Sequence, residues 1–251
     1  MAHCMVWVLT HNGYFGRGNT TRLSAFTSIN TNVDTLKTHS GAAIVHKLDK
    51  TLWVAGQNTW SSLGVNNNSS NVTTWTQIGA LTNNTIIAYA LSNGGSWIIS
   101  QNNTDPSLYT VRANGLCSNG NLGNGSTADS GVILSSITTL PISDSNVEIL
   151  SSALNYGGCA VQTANSLYMC GWNAYGKLGR GNTTNSAVFV TPIDAPFIAN
   201  IKLFCTGECM TAYMDNQGYV YLSGYHPESN TTTAADYNTS FKPYYIPNMG
   251  L

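Results

Sequence analysis

Short apolar runs closed by turn residues recur from one end of the chain to the other, and no stretch carries the 3.6-residue period of an amphipathic helix. One set joins apolar residues to an aromatic or another large side chain: Leu52-Trp53-Val54-Ala55, Leu167-Tyr168-Met169-Cys170, Val220-Tyr221-Leu222-Ser223 and, near the start, Val6-Trp7-Val8. Upstream of these stand Gly41-Ala42-Ala43-Ile44-Val45, Gly158-Cys159-Ala160-Val161 and Cys209-Met210-Thr211-Ala212-Tyr213. Turns such as Asp215-Asn216-Gln217-Gly218 join the two sets, with residues that supply the backbone geometry of a tight hairpin. Downstream comes a third set, at 74–78, 188–193 and 242–247, and then a fourth, at 86–90, 147–150 and 201–205. The pattern predicts an essentially all-β chain.

Between the second and third sets lies a glycine motif whose best copy is Gly171-Trp172-Asn173-Ala174-Tyr175-Gly176-Lys177-Leu178-Gly179-Arg180-Gly181. A second good copy runs from Gly115 through Gly120, Leu122 and Gly123 to Gly125, and a weaker one from Gly56 to Leu63 and Gly64, lacking the middle glycine. Near the start, Gly13-Tyr14-Phe15-Gly16-Arg17-Gly18-Asn19-Thr20-Thr21 matches 176–184 closely, and a degenerate fifth copy begins at Gly224. Counted from the first motif position, the copies start at 8, 56, 115, 171 and 224, spacings of 48, 59, 56 and 53. Self-similarity at that period, with four strands in each repeat, predicts one single-domain β-propeller of about five blades over 1–251. The glycines are assigned the positive φ of a loop that doubles back between packed strands. The leucines Leu63, Leu122 and Leu178, with Phe15 in the first copy, are expected to plug between adjacent blades. A phosphate-binding role is disfavoured, because glycine loops cradle phosphate at a helix N-terminus and no helix is in view.

The order of a Gly-led strand, an Asp/Asn turn, an aromatic strand and Gly-x-Asn-x-x-Gly-x-Leu-Gly-x-Gly resembles the repeat of the regulator of chromosome condensation family. Residues 171–181 fit that pattern at every marked position. The resemblance implies a propeller whose relatives are exchange factors, ligase scaffolds, channel regulators and enzyme inhibitors. Within it this chain reads as a divergent viral member. Fold transfers across such a range of activities and function does not.

Composition narrows the partners. Only 8% of the residues are charged, against about 25% in typical soluble proteins, and the polar surface falls to Asn and Thr, 29 of each. A net charge of −1 without any Lys/Arg cluster removes the footprint that phosphate-backbone binding needs, which argues against nucleic acid and anionic membrane. No apolar run approaches spanning length, so membrane insertion is not expected. The same low charge and Asn/Thr/Gly richness suggest a virion surface component: a bacteriophage tail-fibre, receptor-binding or capsid-decorating protein assembled with other virion proteins or copies of itself. The alternative is a cytoplasmic or secreted interaction module, such as an enzyme inhibitor or regulatory scaffold.

Candidate chemistry is sparse. Cys205-x-x-x-Cys209 with His226 is the nearest approach to a metal-ligand set and lacks a second pair, so neither metal nor cofactor is expected. The acidic residues are scattered, with no close pair for hydrolysis, and no enzyme is expected. Cys159 and Cys170 lie about equally far from one predicted hairpin turn, which places them opposite one another, and they are read as thiols. The loops carry the binding candidates: Trp60 and Tyr175 at the same repeat position, Asn119 at that position in a third copy, Asn67 in the Asn66–Asn71 run, and Tyr225 in the last copy. Rigid aromatics among small polar side chains suit a protein or a glycan, and packing on a neighbouring blade explains the aromatics equally well. Counting strands gives about 18, two short of five full blades, which predicts one short blade with an edge open to association.

Overall fold

The structure is a computed structural model and describes residues 3–6, 16–18, 27–39, 41–65, 70–92, 94–128, 130–138, 140–143, 146–152, 159–164, 166–193, 201–225 and 237–244. It divides into two compact units, one of residues 1–118 and 128–145, the other of 119–127 and 146–251. Among the described residues the regular structure is antiparallel β-sheet, apart from two short 3-10 turns, Thr59–Ser61 and Gly79–Leu81.

In the first unit β1 (His3–Val6) pairs with β2 (Thr27–Thr31) as a two-stranded sheet. Two four-stranded meanders follow: β3 (Val33–His39), β4 (Ala42–Lys47), β5 (Leu52–Gly56) and β6 (Val72–Gln77), then β7 (Asn84–Leu91), β8 (Gly95–Asn102), β9 (Tyr109–Gly115) and β10 (Ser130–Ile137). The second unit holds β11 (Glu148–Ser152), β12 (Cys159–Gln162), β13 (Leu167–Gly171) and β14 (Ser186–Val190), and then β15 (Ile201–Thr206), β16 (Met210–Asp215), β17 (Val220–Gly224) and β18 (Asn238–Tyr244). The aromatic-bearing runs are β5, β13 and β17, and the Gly-led runs are β4, β12 and β16.

Two differences from the sequence reading are informative. The strand that closes one repeat in sequence opens the next sheet: β7, β11 and β15 pair with the Gly-led strand that follows them. The post-motif strands also begin earlier than expected, at Val72, Ser186 and Asn238, because each reaches back to pair with the first motif glycine across a register shift, as Gly56↔Val72, Gly171↔Ser186 and Gly224↔Asn238. Among the described residues the sheet with fewer than four strands is β1–β2, and the last sheet has four. Trp7, Val8, Gly13 and Phe15 lie outside the described residues.

Each unit has its own apolar core between adjacent sheets. In the first, Ile44, Leu52, Val54 and Leu63 pack with Val72, Ile78, Tyr89, Leu91 and Ile98. In the second, Ala160, Leu167, Met169 and Leu178 meet Tyr213, Tyr221 and Phe241. Tyr213 stacks on Tyr221 at 4.8 Å and takes Phe241 edge-on at 5.0 Å. Leu63, Leu122 and Leu178 are 1%, 0% and 2% exposed, and full burial of such a side chain stabilises by about 1.5–3 kcal/mol.

Candidate binding face

The motif loops position everything on this face. The first motif glycine has φ of 115°, 121°, 105° and 106° at Gly56, Gly115, Gly171 and Gly224, and the middle one 75° at Gly120 and 78° at Gly176. In the copy without a middle glycine, Ser61 takes its place and still adopts φ 57°. Inside the loop an asparagine acts as a staple: Asn173 Oδ1 accepts from Leu178 N at 2.8 Å while its Nδ2 donates to the carbonyls of Asn182 and Thr184. Asn58 repeats the first of these bonds to Leu63 N at 2.9 Å. Cys117 stands at the equivalent place in the third copy.

Among the described residues, the loops of the first four copies dock on the sheet that follows each within its unit. Gly18 N donates to Thr73 O, Gly125 N to Ala187 O and Gly181 N to Thr239 O, at 2.7, 2.7 and 2.6 Å. A side chain just before the next copy's first glycine returns the bond: Asn114 Nδ2 to Ser61 O, Cys170 Sγ to Asn121 O at 3.3 Å, and Ser223 Oγ to Gly176 O at 2.8 Å. Gly16, Gly123 and Gly179 lie against the rings of Trp75, Phe189 and Phe241, which leave no room for a Cβ.

In the second unit this scaffold gathers four aromatic rings. Tyr175 packs edge-on against Trp172 at 5.2 Å and Tyr237 at 5.2 Å, and tilts against Tyr225 at 6.3 Å. Tyr225 and Tyr237 meet at 6.0 Å. All four are half-buried. Beneath them Lys177 is 2% exposed, with Nζ 5.4 Å from the Trp172 ring and 3.4 Å from Gly207 O. Burial pulls its ammonium down to about 8, partly opposed by Cys209 and Glu208. Cys209, beside the Tyr175 hydroxyl, raises that group above its ordinary value. Rings that present both an apolar face and a hydroxyl, set over one buried cation, can grip an amphipathic surface.

The sequence candidates distribute unevenly over this geometry. Tyr175 and Tyr225 come together in the ring cluster. Asn119 lies in the same unit and accepts from Asn185 Nδ2 at 3.2 Å, while Asn185 Oδ1 accepts from Asn173 N. Trp60 belongs to the first unit, 38% exposed at φ 57°, with its ring edge over Gly94 beside Leu116. Asn67 lies outside the described residues. Sequence reading missed Trp172, Tyr237 and Lys177. Trp172 carried a signal, since it follows the first motif glycine as Tyr225 does in the last copy, but Tyr237 follows a stretch of sequence that keeps none of the motif.

Other chemistry is thin. Among the described residues no group of three His, Cys, Asp or Glu could hold a metal ion, and His226 lies outside them. No helix among them is long and apolar enough to cross a membrane. The first unit has a hollow of about 210 Å³ by Asp49, Lys50, Gln77, Asn83 and Asn103, smaller than the roughly 300–1,000 Å³ of small-molecule sites.

Meandering four-stranded sheets joined by glycine loops that lock onto the following sheet define a β-propeller of all-β class. Solved structures of RCC1 type share the fold: human WBSCR16 (TM-score 0.66, 14% identity, 90% of this chain and 58% of that one) and yeast RCC1, Prp20, bound to Kap60 (0.65, 13%, 89% and 51%). Prp20p from Saccharomyces cerevisiae, described with its binding to Gsp1p and histones, is similar too (0.63, 16%, 90% and 56%). This chain spans about half the length of those structures. No family model matches the sequence, and no curated protein matches it significantly.

Proposed function

We propose that this chain is a non-enzymatic binding module that engages a protein partner through the aromatic face of Trp172, Tyr175, Tyr225 and Tyr237. The observation that carries the reading is that cluster itself, four half-buried rings linked by ring–ring contacts above the buried Lys177. Tyr and Trp supply large contact area at small entropic cost, which is why they dominate binding hot spots. Structures of the same fold support the reading by analogy, since yeast RCC1 is seen bound to Kap60 and is described as binding Gsp1p and histones.

A photo-crosslinking amino acid at Tyr175 tests it. The expected adduct with a partner protein is absent when the same group replaces Tyr219, which is exposed on the turn that joins β16 to β17. Equal yields from both positions refute the reading. A glycan is the second reading, favoured by the Asn119–Asn185 amide pair beside the Asn173 loop, and a glycan array bound in a Tyr175-dependent way selects it. The 8% charge and the Asn/Thr surface support the finer proposal that the setting is a virion surface, as a tail-fibre, receptor-binding or capsid-decorating component. Immunogold labelling of purified particles tests that setting, and labelling only of host cytoplasm or secreted fractions moves the module to the inhibitor or scaffold role.

A further inference from the structure

One cross-strand position recurs in all four four-stranded sheets, on the two strands that flank the hairpin turn. It holds Ala43↔Ala55, Ser96↔Asn114 and Thr211↔Ser223, and, continuing the Ala160↔Met169 register by one residue, Cys159↔Cys170. All eight side chains are buried. In the Ser96↔Asn114 sheet the two side chains touch, with Ser96 Oγ 3.0 Å from Asn114 Oδ1, whereas Thr211 turns to Thr206 and Ser223 to the carbonyls of Gly176 and Asn238. The hydrogen bond from Thr163 N to Ser166 O fixes the parity of the β12–β13 ladder and makes Cys159↔Cys170 a hydrogen-bonded pair. Such pairs have Cα atoms about 5.5 Å apart, within the range disulfides span, but their side chains stand further apart than in a non-hydrogen-bonded pair, so the two strands must draw together by up to about 1 Å for the sulfurs to bond. A void of about 10 Å³, close to the space one water needs, is lined by both cysteines together with Met169, Lys177 and Thr206.

The second member of the pair is also the loop latch described above. Asn114, Cys170 and Ser223 each donate from this position to the preceding motif loop, and Cys170 does so through its thiol proton to Asn121 O. The sheet that uses sulfur for the latch is thus the one that sets a second sulfur opposite it.

We propose that Cys159 and Cys170 form a redox modification site, a dithiol that a small neutral peroxide converts to a cross-strand disulfide, unlatching the 119–127 loop from β13. One thiol, as its thiolate, attacks a peroxide oxygen; the S–O bond forms, the O–O bond breaks, and the thiol proton leaves with the departing hydroxide as water. The second thiol attacks the sulfenic sulfur, the S–S bond forms, and the sulfenic hydroxyl leaves with that thiol's proton as a second water. Two thiols are oxidised and one hydrogen peroxide is reduced to two waters. Cys170 then has no proton to give Asn121 O. The latch is lost while the chain stays cross-linked across the hairpin.

The test treats the folded full-length chain with dilute hydrogen peroxide, alkylates remaining thiols and maps peptides without reduction. The expected product is a peptide linking Cys159 to Cys170, two mass units lighter than its dithiol form and released by dithiothreitol. Recovery of both residues as thiols when exposed Cys205 is already fully oxidised overturns the proposal. Deuterium exchange reads the latch. Amides of 120–125 should exchange about five-fold faster after oxidation, and Cys170→Ala should show the same acceleration without peroxide. Cys170→Ser, which keeps a donor as Ser223 does, should not. Unchanged exchange in both the oxidised chain and Cys170→Ala removes the latch from the proposal.

Discussion

Replacing Gly120 or Gly125 by Ala separates two reasons a motif glycine is needed, since both lie in the 119–127 loop. Both have positive φ, 75° and 85°, where an L residue costs roughly 1–2 kcal/mol. Their surroundings differ. A Cβ on Gly125 meets nothing within 4 Å, whereas one on Gly120 stands 2.6 Å from Ala187 N and 2.7 Å from Ser186 O, both backbone atoms of β14. Gly125→Ala therefore has the conformational cost alone, about 1–2 kcal/mol. Gly120→Ala adds overpacking of about 1–3 kcal/mol against backbone that cannot rotate away, for a total of about 2–5 kcal/mol. Ser61→Gly is the converse experiment. Its φ of 57° already carries the strain, so glycine there should stabilise by about 1 kcal/mol. Urea titrations read all three, through shifts in midpoint at constant slope. Equal losses for Gly120→Ala and Gly125→Ala would refute the close-docking account and leave only the turn requirement, and a destabilised Ser61→Gly would refute the strain account as well.

Further expectations rest on single groups. Lys177 binds its proton less tightly in the folded state, about 8 against 10.5, so the unfolded chain holds more protons between those values and stability climbs as pH rises through them. Lys177→Met should accordingly stabilise by about 2–3 kcal/mol at pH 7, a gain that vanishes by about pH 10.5; an equal gain at both pH values in urea titrations contradicts the assignment. Asn173→Ala removes the acceptor for Leu178 N and the donor for two loop carbonyls, and should cost about 2–4 kcal/mol in the same assay. A loss below about 0.5 kcal/mol would show that water replaces the staple. Tyr175→Ala should weaken partner binding by at least about 2 kcal/mol, measured by calorimetry once the crosslinked partner is purified, with unfolding midpoints shifted far less.

The repeat made much of the fold legible, because a β-propeller restates its rules every fifty-odd residues. Glycines that must turn, leucines that must be buried and aromatic strands that must stack reappear at fixed offsets, so Gly171, Leu178 and Tyr221 each illuminate their counterparts. The facing of Cys159 and Cys170 was readable for the same reason, since equal distances from one hairpin turn set a cross-strand pair. Sheet membership was less visible. Hydrophobic pattern marks where a strand lies and not which neighbour it pairs with, so β7, β11 and β15 read as closing one repeat when they open the next sheet. The ring cluster was half legible: Tyr175 and Tyr225 sit in recognisable loops, while Tyr237 enters through tertiary packing that leaves no periodic trace. Lys177 gave no warning either, as its equivalents Ser62 and Asn121 are small and uncharged and nothing local distinguishes a buried lysine from a solvated one.

The docking of each motif loop on the following sheet has a bearing on how such chains lengthen and shorten. A repeat cut at the motif carries a matched half-joint at each end: a loop to give and, through Asn114, Cys170 or Ser223, a place to receive one. Duplicating or deleting one whole repeat in the gene therefore leaves every joint with a complementary mate, while any other breakpoint strands a loop without its seat. Blade number becomes the quantity that evolution can change in a single step, and stability then grows or shrinks in increments of one sheet plus one joint.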